Sequence, residues 1–500
     1  MMRLNRLAVG AFAFCLLAIL NCGGYRYGIG DQAFYIPAIL QHLDPSLFPR
    51  DRLLLHAQDG FMLYDDAMAA AVRVSGCSLP TLFLGAYLGG LVLLFGGIVL
   101  LGRSWYRSWW AVAALALVLT LRHRIVQTGV NTLEGSLHPR MLAFALGIWA
   151  LAIFVRGGGL WALALALAAG ALHPTTALWF ALWIGVGLIV SEPRLRRPLL
   201  ALGLIGAGAA VWVIWKGPLR GHLVTMDPQW VSVLTAKDYV FPSDWGPSFW
   251  LVNLGYLAVV LAAYWYRRSQ GEQFPREAGV VCGAAALVAV FLAAWPLAAA
   301  RVAFVVQLQA SRVFWMLDLL ATVYIVWLAV AATRSGLAGG TVRRGVVVAI
   351  AIVAAARGGY VMRAERPDAS VVRVGLPEDA WADVMAWTAR TPASTHVLVD
   401  PGHAWKYGSS VRVAGQRDVY LEEVKDVSIA MYSRDVAVRV SQRIQDLGDF
   451  ARITPEKARS LAIHYDLDYL ISDRRMALPI VYRNSRFWVY ALAGDDSTGR

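Results

Sequence analysis

The side chains of this sequence that can do chemistry are acids, imidazoles and guanidiniums placed at the edges of long apolar runs. The first polar stretch reads Gly30-Asp31-Gln32-Ala33-Phe34-Tyr35-Ile36-Pro37, then Asp44-Pro45-Ser46-Leu47-Phe48-Pro49-Arg50-Asp51. Asp31 follows the first apolar run by a few residues. A carboxylate there is placed to take a proton from a hydroxyl or to orient a sugar. The same residue suits the N-cap of an interfacial helix through Ala33 to Leu40, and both uses stay open. Asp44, before Pro45, is a candidate substrate contact or a turn former.

Further along, Leu137-His138-Pro139 and Leu172-His173-Pro174 repeat a tripeptide. Each Pro suits a first helical turn, with the His just before it. Glu134, His138 and Arg140 place an acid, an imidazole and a guanidinium within seven residues. Ionisable groups at a membrane boundary are costly, which points to function, although capping and an internal Glu134 to Arg140 pair would also account for them. A zinc site is the weaker reading, because His138 and His173 are not at helical ligand spacing and no cysteine accompanies them. Arg301, Gln309 and Arg312 come next. If one helix runs through them, positions 301, 305, 308 and 312 form a stripe, with Gln309 on a neighbouring line. The planar fork of arginine matches phosphate oxygens, and snorkelling to the interface is the alternative.

These residues are carried by elements set by hydropathy. The chain has 500 residues, 58% hydrophobic and only 16% charged, against roughly 25% charged in a soluble chain. Arg3 and Arg6 precede an apolar run from Leu7 to Leu20, read as an uncleaved first helix. Further spans are expected near 79–101, 109–122, 139–155, 160–172, 174–190, 198–215, 248–266, 277–297, 304–333 and 344–361. The net charge of +13 belongs to the apolar part: residues 361–500 carry 19 basic and 19 acidic residues, leaving 27 and 14 before them. Arg103/Arg107, Arg194/Arg196/Arg197, Arg267/Arg268/Arg276 and Arg334/Arg343/Arg344 gather in short connections, as cytoplasmic loops do. This puts both termini's sides in place, N-terminus inside and C-terminus outside, and disfavours a nucleic-acid partner. Three spans, 109–122, 160–172 and 174–190, are short, so an outer recess is expected where their ends meet.

From about 364 the pattern changes. Val397–Val399, Tyr469–Ser472, Ile480–Tyr482 and Phe487–Ala491 read as strands, and Val427–Gln445 and Pro455–His464 as helices. The loop from Lys216 to Trp250 carries Asp227-Pro228, Trp230 and Lys237, while Trp405, Arg417, Asp418 and Lys425 form no recognisable constellation. Of the cysteines at 15, 22, 77 and 282, the second and third flank the first loop, so a disulfide between them is chemically permitted. No Walker loop, dinucleotide fingerprint, hydrolase elbow or zinc spacing occurs, so no cofactor is assigned.

A first helix followed at once by a long outer loop with an early acid, then many helices and a terminal outer domain, resembles the GT-C superfamily of membrane glycosyltransferases. The Asp31, Asp44-Pro45 and Phe48-Pro49-Arg50-Asp51 steps are similar to those of an uncharacterised bacterial branch grouped near it. The resemblance implies a polyprenyl-phosphate-linked sugar donor, inversion at the sugar carbon, a cell-envelope glycan or protein acceptor, and Asp31 as the base. Gln32 departs from branches that carry a second acid at that step.

The expected fold class is therefore a polytopic α-helical membrane protein of about eleven transmembrane helices, GT-C-like, with a small C-terminal α/β periplasmic domain. Its expected parts are 1–362, a bundle including the first periplasmic loop 21–78, and 363–500, a soluble domain. The expected location is the bacterial inner membrane. Asp31 is the catalytic candidate, with Asp44, Glu134, His138, Arg140, His173, Gln309 and Arg312 contacting substrate. A lipid or glycan transporter or flippase, or a non-catalytic scaffold, is the rival; polar groups gathered at one face and the lack of an inverted repeat weigh against transport.

Overall fold

The computed structural model describes residues 2–57, 62–217, 219–332 and 340–492, with side chains from residue 5 onward. Arg334 lies outside the described residues. The chain divides into two compact units. One comprises Met1–Tyr25, Gly85–Thr225 and Asp238–Val371; the other comprises Arg26–Leu84, Met226–Lys237 and Val372–Arg500. Composition groups the first loop with the bundle, whereas the structure gathers 26–84 with the C-terminal residues. Ionic partners supplied from beyond position 400 account for this, and no local pattern reveals them.

The first unit is helical. Among the described residues seven helical stretches are long and apolar enough to cross a membrane: Leu79–Trp105, Pro174–Ser191, Pro193–Trp215, Pro247–Ser269, Glu277–Ala299, Ala303–Ala331 and Gly340–Glu365. Asn5–Asn21, Trp109–Leu119, Pro139–Val155 and Gly159–Ala171 are shorter apolar helices, below the ~20 residues that a ~30 Å hydrocarbon core asks of an untilted span. The protein is a multi-pass membrane protein. Length and composition alone show seven spans among the described residues, and the other four of the expected eleven fall on these shorter helices.

Two helices show how differently apolar sequence is used. Pro193–Trp215 buries no residue, leaving Leu204, Ile205 and Trp212 exposed for lipid to cover. The most apolar window of Ala303–Ala331 is 83% buried and forms the centre of the bundle. Close packing comes from small residues. Gly279 and Gly283, four apart on Glu277–Ala299, lie so near Gly187 and Trp183 that a Cβ at either would meet a backbone oxygen at 2.6 or 2.3 Å. Charges of the short connections are paired as well as basic: Arg267 meets Glu277 at 3.3 Å, and Tyr324 Oη donates to the same carboxylate at 2.9 Å.

The expected stripe through 301, 305, 308 and 312 does not form. Ala303–Leu308 ends at Gln309, whose φ of 47° is left-handed, and a 3-10 turn over Ala310–Arg312 leads into Val313–Val326. A non-glycine residue in that region breaks the helical phase, so Arg301 and Arg312 do not share a face.

The second unit carries a five-stranded sheet: β1 (His396–Leu398), β2 (Asp418–Val419), β3 (Tyr469–Ser472), β4 (Ile480–Arg483) and β5 (Trp488–Ala491), in the order β2-β1-β3-β5-β4. The first three are parallel and the last two antiparallel. Trp381, Val384, Met385, Val397, Val399, Tyr407, Val411, Val419, Ile471, Phe487 and Val489 form its core. The single helix expected over Val427–Gln445 is two, Glu423–Ala430 and Arg434–Leu447. Ser433 starts the second, its hydroxyl accepting from Val436 N, and a residue holding a cap conformation cannot continue the preceding helix. The loop helices Gln32–Leu43, Arg52–Leu55, Tyr64–Ser75 and Pro228–Leu234 belong to this unit.

Candidate active site

Asp31 precedes the helix Gln32–Leu43 at its N-cap position, but it is not a capping side chain. Its φ of −70° and ψ of −8° are helical, and its carboxylate makes no cap bond; capping needs an extended residue whose oxygen folds back on the next turn. The carboxylate instead accepts from Lys425 Nζ at 2.7 Å. The Asp31 side chain is 26% exposed and that of Lys425 only 8%. Gln32 is buried, and its Oε1 accepts from Gly28 N at 2.7 Å. The residue that departs from the GT-C pattern thus closes the turn before the helix.

Asp44 ends the same helix. Thirteen steps of 1.5 Å put it ~20 Å from Asp31, so the two acids do not meet. Ser46 Oγ and N donate to Asp44 at 2.7 and 3.0 Å, and the exposed carboxyl is lowered by these bonds. Asp44 is a turn former here.

Beyond the helix the loop reaches a buried ionic cluster. Arg412 is about 1% exposed and donates to Asp51 at 2.7 Å and to both oxygens of Asp426 at 2.7 and 3.1 Å. Arg439 also pairs with Asp51. Burial pushes the Asp51 carboxyl up, and Arg412 and Arg439 pull it far below the usual carboxylate range. Asp418 receives Arg50 N and Asp51 N at 3.0 and 3.1 Å. Burial, with the Asp51 charge beside it, raises Asp418 to about 7. Glu422, which accepts from Ser410 Oγ, is likewise raised by burial to about 7, with Arg412 opposing. His403 is held neutral: Nδ1 faces Asp400 O at 2.9 Å, Nε2 accepts from Val411 N at 3.2 Å, and burial lowers it to about 4.

In the first unit, Glu134 and Arg140 do come together, at 2.9 Å, with Arg122 at 3.6 Å and Asn131 Nδ2 donating at 3.2 Å. His138 and His173 each occupy an extended N-cap position and accept from the following turn, His138 from Arg140 N and His173 from Thr176 N. Ala143, Ala169 and Ala177 pack together one turn further on, so the two imidazoles stand at the same end of neighbouring helices. Gln309 is buried in the left-handed break, and its carbonyl accepts Arg312 N at 2.9 Å. Arg301 belongs elsewhere: it pairs with Asp244 at 3.0 Å and lies 3.8 Å from the centre of the Phe241 ring.

Sequence reasoning missed His123 and Asp318, which meet at 2.9 Å. Asp318 was visible as the single acid in an apolar run, a signal that costs too much to be idle. Arg412 was visible in the same way, between Val411 and Val413. All four cysteines are free thiols. Among the described residues no group of three His, Cys, Asp or Glu is arranged to hold a metal ion.

No protein-family model matches the sequence, and no curated protein does. Solved structures do resemble it. An Archaeoglobus fulgidus oligosaccharyltransferase in complex with Zn and sulfate is similar at a TM-score of 0.43 and 15% identity, over 93% of this chain and 67% of that one. Archaeal oligosaccharyltransferase AglB from the same organism, bound to an inhibitory peptide and a dolichol-phosphate, gives 0.45 and 14% over 95% and 69%. The arabinofuranosyltransferase AftD from Mycobacteria gives 0.46 and 14%, covering 98% of this chain and 40% of its own. The function is argued from the chain's own residues.

Proposed function

We propose that this chain is an inverting, GT-C-like glycosyltransferase that moves a sugar from a polyprenyl-phosphate-linked donor to a cell-envelope acceptor at the periplasmic face of a bacterial inner membrane. The observation that carries this reading is Asp31, an acid at the head of the first loop that declines the capping bond of its own helix. Its carboxylate is partly exposed and held by a lysine 394 residues away. As general base it takes the acceptor hydroxyl proton while the acceptor oxygen bonds to the sugar carbon; the bond from that carbon to the phosphate oxygen breaks, and polyprenyl phosphate leaves with the electron pair.

Arg312 and Gln309 are assigned the donor phosphate, Arg312 through its forked donors. Glu134, His138, Arg140 and His173 are assigned to substrate contact. Arg312→Ala should raise the donor KM more than Arg312→Lys, which keeps the charge but not the fork; a donor KM equal to wild type in Arg312→Ala removes that role. The basic connections favour an inside N-terminus and an outside C-terminus. A reporter that works only in the cytoplasm, active when fused after position 500, would contradict this orientation.

The function itself is tested by sugar transfer in purified membranes, with donors extracted from the source cells as a polyprenyl-phosphate pool. Asp31→Asn should slow transfer roughly 10²- to 10⁴-fold at normal protein level. Transfer at the wild-type rate in that variant moves the base elsewhere.

A further inference from the structure

The geometry points to Lys425 as the positioning residue of Asp31: it holds the carboxylate in the orientation in which it can accept a proton. This rests on reading Asp31 as the base. The N–H groups of Gln32 and Ala33 are already taken by Ile29 O and Gly30 O, each at 3.2 Å, so the carboxylate makes no cap bond and is oriented from outside the helix. Lys425 Nζ donates to it at 2.7 Å from a nearly buried stem.

Lysine suits this role only if its own position is fixed, since its stem has four rotatable bonds. Here the platform is fixed at several points. Lys425 lies in the first turn of Glu423–Ala430, and its side chain is nearly buried. Its neighbour Asp426 is gripped by both Nη atoms of Arg412. Lys237 Nζ donates to Val424 O at 2.8 Å, and Trp230 Nε1 donates to Ala430 O at 2.7 Å, so a second loop ties down both ends of the short helix. The ammonium is presented from a rigid base, and the acid it holds is the more exposed partner.

A residue that acts through Asp31 has a signature that a merely stabilising residue lacks. Steady-state transfer would be measured on the full-length protein with the extracted polyprenyl-phosphate pool, for wild type, Lys425→Met, Lys425→Arg, Asp31→Asn and the double variant Asp31→Asn/Lys425→Met. Methionine keeps the packed stem and removes the charge. Lys425→Met should lower kcat about ten- to a hundredfold with the donor KM within about twofold, and Lys425→Arg should retain more activity than Lys425→Met. In the Asp31→Asn background, Lys425→Met should add no further loss, because the group it positions is already gone. The same further loss in that background, a change confined to KM, or a wild-type rate in Lys425→Met each overturns the inference while leaving Asp31 as the base. A wild-type rate in Asp31→Asn overturns the base itself and Lys425 with it. Labelling of Asp31 by a carbodiimide, read by mass spectrometry, needs no substrate: it should be several-fold faster in Lys425→Met than in wild type or Lys425→Arg, and equal labelling overturns the pairing.

Discussion

Asp31 and Asp51 stand twenty positions apart on the same loop, and both find their cations among residues beyond 410, yet they are held in opposite ways. Asp51 is fully buried between Arg412 and Arg439, and its second oxygen also lies 3.4 Å from Val419 N. Asp31 accepts from Lys425 and remains partly exposed. A carboxylate gripped by two guanidiniums in a dry site is committed to structure, whereas a partly exposed one can meet a reacting proton. Residue type alone does not separate the two. Burial does.

The comparison is broken most directly by removing each charge in turn and reading both rate and stability. Asp31→Asn should cost roughly 10²- to 10⁴-fold in transfer and, because the pair is partly exposed, less than about 1 kcal/mol in stability. Asp44→Asn is the control at the far end of the same helix and should transfer normally. Asp51→Asn should behave in reverse: it takes from Arg412 one of the two carboxylates it donates to and from Arg439 its acid, a loss on the order of 3 kcal/mol. The readout is a lower thermal midpoint in detergent and less protein in the membrane. An Asp51→Asn variant that is as stable as wild type would show that the buried cluster is not what secures the loop.

The sequence made one half of this contrast legible. Apolar run length located the helices well, since expectations near 139–155 and 277–297 correspond to Pro139–Val155 and Glu277–Ala299. The His-Pro steps announced two helix starts, and both imidazoles cap them. Glu134 and Arg140 met because six residues of loop suffice to close that pair. Pairs closed across hundreds of residues were not legible: Lys425 stood in the sequence as an unremarked polar residue, and nothing near Asp51 names Arg412. The break at Gln309 was hidden for a different reason, because left-handed glutamine is set by tertiary packing and leaves no propensity signal.

The smallest expected effect sharpens the same contrast through pH. Asp418 and Glu422 belong to the buried cluster, and burial raises both to about 7, above the 3.9 and 4.3 typical of unfolded chains. The folded state therefore holds their protons more tightly than the unfolded state. Their contribution to stability is fully present below about pH 4 and is lost as pH rises through about 7. Asp51 has the opposite sign: its depressed carboxyl stabilises the fold above about pH 4, and that contribution fades only in acid. Between pH 6 and 8 Asp51 is constant; the two raised acids lose stability as pH rises, and buried His403 and His396, both lowered to about 4 from the usual ~6.5, regain part of it. The two acids together lose ~3 kcal/mol from pH 6 to 8 and the two histidines regain somewhat over half of it, so the net cost is about 1 kcal/mol, seen as a slightly lower thermal midpoint at pH 8 for the purified protein in detergent. Glu422→Gln keeps an oxygen for the Ser410 hydroxyl and cannot ionise, so it should flatten part of that slope. Asp31→Asn should leave the slope as it is, because Asp31 lies outside the cluster and its pair with Lys425 is partly exposed. A slope between pH 6 and 8 that Glu422→Gln leaves untouched would mean that this buried acid is already ionised at neutral pH and that the cluster is wetter than its burial implies.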